Sequence, residues 1–286
     1  MLGKIILQNL EKYDFPYNID KKICSGWASD LPKGGETILF TSCMHQTASL
    51  SDTFSRTIPL AEKVPSLSVF AKLIKPNKEQ LERSYKVLRN IVSLLKKNGV
   101  NFGYLYEEEP YSGAILLELG YLNEFGIHAE RVTKFLKEKG VKRIITVDPH
   151  THNALNRYSE FTKFDIEVVN YLELIKDAKI KTDVSFVIHD SCLYSRFLGL
   201  RDVYRQILTN AGGKIVEDLM VTSKEVSYCC GSPIKPVNHE LGEKVAKSRV
   251  EQLKKLSDNI LVVCPMCYAN LSKYHNKIYD LAEVVE

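Results

Sequence analysis

"IITVDPHTHNAL" (Ile144–Leu155) and "ILVVCPMCYANL" (Ile260–Leu271) align without a gap. Each is an apolar run of β-type residues, then an x-Pro-x-x turn, then the start of a helix. Proline suits such a turn, because its fixed φ belongs at the first helical position and it has no N–H to leave unpaired. Two further pairs follow the same duplication. "ILFTSCMHQ" (Ile38–Gln46) is similar to "FVIHDSCLYS" (Phe186–Ser195) and sets Cys43 against Cys192. "EEEPYSGAILLELG" (Glu107–Gly120) is similar to "SYCCGSP" (Ser227–Pro233), with Tyr111 and Ser112 where Cys229 and Cys230 stand.

Around these anchors, strand-like and helix-like runs alternate. "ETILFTS" (Glu36–Ser42), "NFGYLY", "VKRIITVD", "VSFVIHD" (Val184–Asp190), "KIVEDL" and "NILVV" (Asn259–Val263) read as strands. Helical periodicity marks Glu79–Gly99, Ile127–Gly140, "RDVYRQILTNAG" and "ELGEKVAKSRVEQLKKLS". Strands separated by helices of this length predict α/β units with mainly parallel sheets. The expected fold is therefore α/β, two tandem duplicated subdomains, the first degenerate in cysteines. No linker is obvious. The charged stretch Tyr158–Asp165 is the expected boundary, giving residues 1–160 and 161–286.

Composition narrows the function. The chain has 286 residues, 44% hydrophobic and 26% charged, with a formal charge of +4. That is ordinary for a globular protein, and no basic block interleaved with aromatics suggests nucleic acid. The start, "MLGKIILQNLEKYDF", is charged too soon for a signal peptide, and no apolar run has the length of a membrane span. A cytoplasmic chain without its own transmembrane segment is expected, with any membrane association going through partners.

Five of the seven cysteines lie in the last third. Cys192 is followed by 36 residues, then Cys229-Cys230, then 33 residues, then Cys264-Pro-Met-Cys267. Each group falls at a strand end or in a turn, and the carboxyl ends of parallel strands share one edge where ligands bind. Five thiols from three segments are thus expected in one pocket. The two-residue gap lets Cys264 and Cys267 reach one metal centre. Adjacent cysteines form a strained disulfide and serve poorly together on one tetrahedral ion. They can bind two irons of one cluster, and Gly231 would leave room for inorganic sulfide. Zinc, which needs four ligands, would leave one thiol over. The remaining possibility is a set of buried structural thiols.

The segments "IHDSCLYSRF" (Ile188–Phe197), "YCCGSP" and "VVCPMCYANL" resemble the CCG-domain, or cysteine-rich domain, family. The family is known from subunits B and D of heterodisulfide reductase and from iron–sulfur subunits of glycolate, lactate and glycerol-3-phosphate dehydrogenases. The resemblance implies one noncubane [4Fe–4S] cluster per chain, held by Cys192, Cys229, Cys230, Cys264 and Cys267. It implies oxidoreductase chemistry through those ligands, with a thiol or disulfide as substrate. The expected partner is a ferredoxin-like iron–sulfur subunit, similar to the one in heterodisulfide reductase, or a flavoprotein subunit. The alternatives are an electron-transfer or anchoring subunit of a flavin dehydrogenase, including the succinate type, and a zinc-binding protein without redox function. Ser191 departs from the proline common in the family's segment.

In the first copy, Tyr111, Ser112, Asp148 and Thr151 occupy the other ligand positions. Cys43, His45, Asp148, His150 and His152 are candidate remnants of a metal site, but read better as polar residues at a vestigial strand edge. Cys24, in "KKICSGW", stands alone and reads as a packed or surface thiol. Glu107–Glu109 reads as a solvated turn.

Overall fold

The structure, a computed structural model, describes residues 2–50, 77–221, 224 and 227–286. It contains two four-stranded sheets in which every pairing is parallel. The first comprises β1 (Thr37–Phe40), β2 (Gly103–Tyr104), β3 (Arg143–Thr146) and β4 (Glu167–Asn170), in the order β2-β1-β3-β4. The second comprises β5 (Ser185–Ile188), β6 (Lys214–Ile215), β7 (Ile260–Val262) and β8 (Ile278–Asp280), in the order β6-β5-β7-β8. The two orders are the same, so the duplication read from the sequence is also a duplication of topology.

The central strands are short apolar runs buried on both faces, as parallel strands covered by helices must be. Ile38, Leu39, Phe40, Ile144, Ile145, Phe186, Val187, Ile188, Ile260, Leu261 and Val262 have no exposed surface. The helices present matching stripes. Leu122–Glu138 buries Phe125, Ala129, Val132, Thr133 and Leu136, with His128 buried beside them. His239–Lys254 buries Gly242, Ala246, Arg249, Val250 and Leu253 at the same spacing. Asn238 caps that helix by accepting from Leu241 N at 3.0 Å.

The chain divides into two compact units, residues 1–85 with 101–170, and residues 86–100 with 171–286. The boundary thus lies after β4 instead of at 160/161, because β4 pairs with β3, Arg143 opposite Glu167 through Thr146 opposite Asn170. The helix Lys78–Lys97 continues across the division, and its stretch from Lys86 groups with the second unit. The helix Leu2–Tyr13 and strands β4 and β8 lie outside the elements read from the sequence.

Cys24 does not stand alone. It is bonded to Cys43, with Cα atoms 4.9 Å apart. Both are almost fully buried. Cys43 and its neighbour Ser42 have left-handed backbones, φ 55° and 51°, which cost non-glycine residues free energy. The turn is held on three sides: by the disulfide, by a Ser42–Ser112 hydroxyl contact of 2.9 Å, and by Glu109.

The disulfide closes a separation of 19 residues, for which unfolded-state entropy predicts a contribution of about 3 kcal/mol. Cys24→Ser and Cys43→Ser should each lose about that amount in denaturant unfolding, and dithiothreitol should lower the wild type towards them. A wild-type curve unmoved by dithiothreitol, and equal to the mutants, would rule the bond out.

Candidate iron–sulfur centre

In the second unit the connection from β5 runs to β6 on one side, and the chain then crosses to β7 on the other. The crevice at the carboxyl ends of β5 and β7 is thus a topological switch point, where open parallel sheets bind ligands. Cys192 opens the helix Cys192–Arg196 just past β5. Cys264 is the N-cap of the helix Pro265–Leu271 just past β7, and Cys267 lies in its first turn. Cys229 and Cys230 arrive on the turn before Ser232–Ile234.

The five sulfurs form one connected chain. Cys192 is hydrogen-bonded to Cys229, Cys229 to Cys230, Cys230 to Cys267, and Cys267 to Cys264. All five are free of disulfides. Cys230, Cys264 and Cys267 are buried with Val187, Val250, Ile260 and Leu271, whereas Cys192 and Cys229 are half-buried. The electrostatics follow from the crowding. The hydrogen bonds from Cys192 and Cys230, with Gly231 N on its Sγ at 3.3 Å, hold Cys229 far below the ordinary thiol range. Its neighbours Cys192 and Cys230 are pushed up by the same contacts, and Cys267 is pushed up by Cys230 and Cys264.

Polar side chains support this pocket from behind. Asp190 is fully buried and accepts both guanidinium arms of Arg205, at 2.7 and 2.9 Å, and the Tyr204 hydroxyl. It thereby fixes the turn that delivers Cys192. Arg205 is shared with Glu217 at 2.8 Å through its Nε. Asn270 donates to the Cys230 carbonyl. Ser195 Oγ donates to the Lys224 carbonyl at 2.6 Å, and Arg196 donates to the Ser227 carbonyl, which ties the approach to the cysteine pair onto the Cys192 helix.

His189 lies beside the thiols. One of its ring nitrogens is within 4.8 Å of the sulfurs of Cys230 and Cys267. Burial and the Arg249 charge lower it to about 3, so it is neutral. Arg249, only 1% exposed, donates from Nε to His189 Nδ1 at 3.2 Å and from Nη1 to the Val221 carbonyl. Burial lowers Arg249 to about 10, against attraction from Asp190, Cys267 and Tyr228.

Gly231 is required by the packing of the second unit. Its φ is 84°, and a Cβ there would meet the Gly242 carbonyl at 2.2 Å. The glycine admits the helix His239–Lys254. Gly113 plays the same part in the first unit, with φ 78° and a Cβ position 2.8 Å from His128 Cδ2.

At the corresponding place in the first unit most polar side chains bond within the protein, although Thr151 Oγ1 is buried with no hydrogen-bond partner among the described residues. Cys43 is in the disulfide, and His45 Nε2 lies 3.3 Å from the Val147 carbonyl. His150 Nδ1 lies 2.5 Å from Glu118, and His152 Nδ1 lies 2.8 Å from the Thr146 hydroxyl. Asp148 accepts from His150 N and Thr151 N, both at 2.9 Å, as the helix cap. Glu107–Glu109 is not a uniformly solvated turn. Glu109 is buried, accepts from Thr41 N and Oγ1 at 2.9 and 2.7 Å, and is pushed by burial up to about 7.

The donor set fits a multi-iron centre. Five soft sulfur donors in mutual contact exceed the four that zinc takes, and the anion-stabilising contacts on Cys229 favour a thiolate. Residues 186–272 match the family model "CCG: Cysteine-rich domain". They form a CCG cysteine-rich domain. The "EtfAB:quinone oxidoreductase" of Syntrophomonas wolfei is 32% identical over 236 residues, covering 71% of this chain and 32% of that protein. The "Probable iron-sulfur-binding oxidoreductase FadF" of Bacillus subtilis is 30% identical over 226 residues, covering 71% and 31%. The "Probable membrane-anchored ferredoxin" of Chromohalobacter salexigens is 26% identical over 228 residues, covering 71% and 33%. The chain spans about a third of the length of these relatives. Two of these relatives are named as oxidoreductases, one of them iron–sulfur-binding, and no helix among the described residues is long and apolar enough to cross a membrane.

Removing one partner of a buried ion pair strands the other charge and costs about 3–5 kcal/mol. Asp190→Asn should destabilise the iron-free chain by about that amount in urea unfolding. Arg205→Met in the Asp190→Asn background should recover part of the loss. Additive losses would mean that the two side chains act separately.

Proposed function

We propose that the second unit holds a noncubane [4Fe–4S] cluster on Cys192, Cys229, Cys230, Cys264 and Cys267, and that the chain is the electron-transfer module of a larger oxidoreductase assembly. The observation that carries this is the continuous chain of five free thiols at the β5–β7 switch point. Such a cluster supplies single-electron transfer at a potential tuned by its surroundings. The protein's own contribution is to hold five thiolates together, to bury three of them, and to leave Cys192 and Cys229 nearer the surface.

The donor is proposed to be a flavoprotein, with a ferredoxin-like chain or a quinone-linked partner as acceptor. The name of the Syntrophomonas relative pairs an electron-transferring flavoprotein with quinone, and the present chain matches about a third of it. Apolar side chains near the cysteine segments suit docking: Phe197, Leu219, Met220, Tyr228 and Val237 are all well exposed. A second reading, reduction of a disulfide substrate in the manner of heterodisulfide reductase, has the half-buried Cys192 and Cys229 in its favour.

Anaerobically purified protein should contain about four irons and four sulfides per chain. Cys229→Ser and Cys230→Ser should each abolish the visible absorption and the electron paramagnetic signal. One zinc and no sulfide would overturn the cluster. Mixing with reduced electron-transferring flavoprotein should reduce the cluster within the time of a stopped-flow experiment. Rapid reduction by a dithiol alone would favour the disulfide reading.

A further inference from the structure

A buried histidine sits beside the thiols and a buried arginine donates to it, and the proposed electron transfer does not by itself require either. The internal duplication shows what the fold needs without them. Aligning "ILFTSC" on "VIHDSC" at their cysteines puts Phe40 at the place of His189. Aligning the buried stripes of Leu122–Glu138 and His239–Lys254 puts Val132 at the place of Arg249. Phe40 and Val132 are as buried as the residues they replace. The copy without the thiol set therefore fills both positions with hydrocarbon, and the copy with the thiol set fills both with groups that hydrogen-bond each other. Packing explains the first choice but not the second, since a buried guanidinium costs several kcal/mol of desolvation.

The geometry fixes how the two act. Arg249 has only donors. Its Nε–H on His189 Nδ1, at 3.2 Å, makes that nitrogen the acceptor. In a neutral imidazole the proton then sits on Nε2, so neither ring nitrogen has a free lone pair for a metal. The Arg249 Nη2 atom is buried and has no acceptor among the described residues. His189, the acceptor of the Arg249 Nε–H, has a ring nitrogen within 4.8 Å of the sulfurs of Cys230 and Cys267, which places the guanidinium one residue behind the thiols.

Resting on the iron–sulfur reading above, we infer that His189 is a hydrogen-bond donor to cluster sulfur and not an iron ligand, and that Arg249 is the positioning residue that sets its tautomer and offsets the thiolate charge. A buried cation beside a centre that gains negative charge on reduction favours the reduced form. Arg249 thus raises the potential, and its removal lowers it.

The test uses the full chain in two forms. In iron-free protein, long-range 15N–1H correlation of labelled histidine should show His189 protonated on Nε2 in the wild type, with that preference lost in Arg249→Met. A proton on Nδ1 in the wild type overturns the inference, whether or not the protein binds iron. In iron-loaded protein, iron content should be the same in wild type, Arg249→Met, Arg249→Lys and His189→Gln. Potentiometric titration followed by electron paramagnetic resonance should find reduction of Arg249→Met disfavoured at least tenfold, about 59 mV for one electron. Arg249→Lys, which keeps the charge, should recover part of the shift, and His189→Gln, which keeps an N–H donor, should keep the wild-type spectrum. An unshifted potential in Arg249→Met, or a strongly coupled imidazole nitrogen in the wild-type spectrum, overturns it. Loss of iron from His189→Gln alone would also make the histidine a ligand. Absence of iron from the wild type itself would sink the cluster reading while the tautomer measurement still decides the role of Arg249.

Discussion

Five sulfur atoms in contact inside an apolar core are a liability unless something positive joins them. As thiols they are poor hydrogen-bond partners. As thiolates they repel one another at short range in a medium that screens little. The contacts show the compromise that the protein alone can reach: the anion is concentrated on Cys229, and its neighbours are driven towards the protonated form. The rest of the second unit is arranged around this concentration of sulfur. Two strand ends, a cysteine turn and a helix start bring the atoms together, and the Asp190–Arg205 pair and Asn270 brace the segments that carry them.

Comparison of the two units separates what the fold requires from what the site requires. Strand order, the left-handed glycine against a helix, and the helical stripes recur in both. Those features would be present without any cofactor. The side chains that differ are concentrated at the sheet edge: Cys192 against a disulfide-bonded Cys43, His189 against Phe40, and Arg249 against Val132. The first unit has turned the same edge into an internally satisfied network of Thr41, Glu109, Ser42 and Ser112.

Much of this is legible in the sequence. The apolar runs and glycine stops locate the main strands and helices, and the duplication predicts that the two sheets match. Short strands flanked by turns, such as β4 and β8, carry too little pattern to be read, and the expected boundary falls too early because β4 follows the charged stretch instead of preceding it. The cysteine set is visible through its spacing alone. The Cys24–Cys43 bond is not, since two cysteines 19 residues apart reveal nothing of the turn that joins them. Arg249 is detectable in principle: a charged residue on an otherwise apolar stripe, one turn after Ala246, announces a buried partner. Periodicity alone passes over it.

The chain keeps sulfur in two opposite states, one pair oxidised and five atoms free. Conditions harsh enough to reduce the first unit protect the second, and exposure to air does the reverse. The ratio of bonded to free cysteine in a given preparation therefore records its history, with Cys24–Cys43 as an internal standard against which damage at the other five can be read.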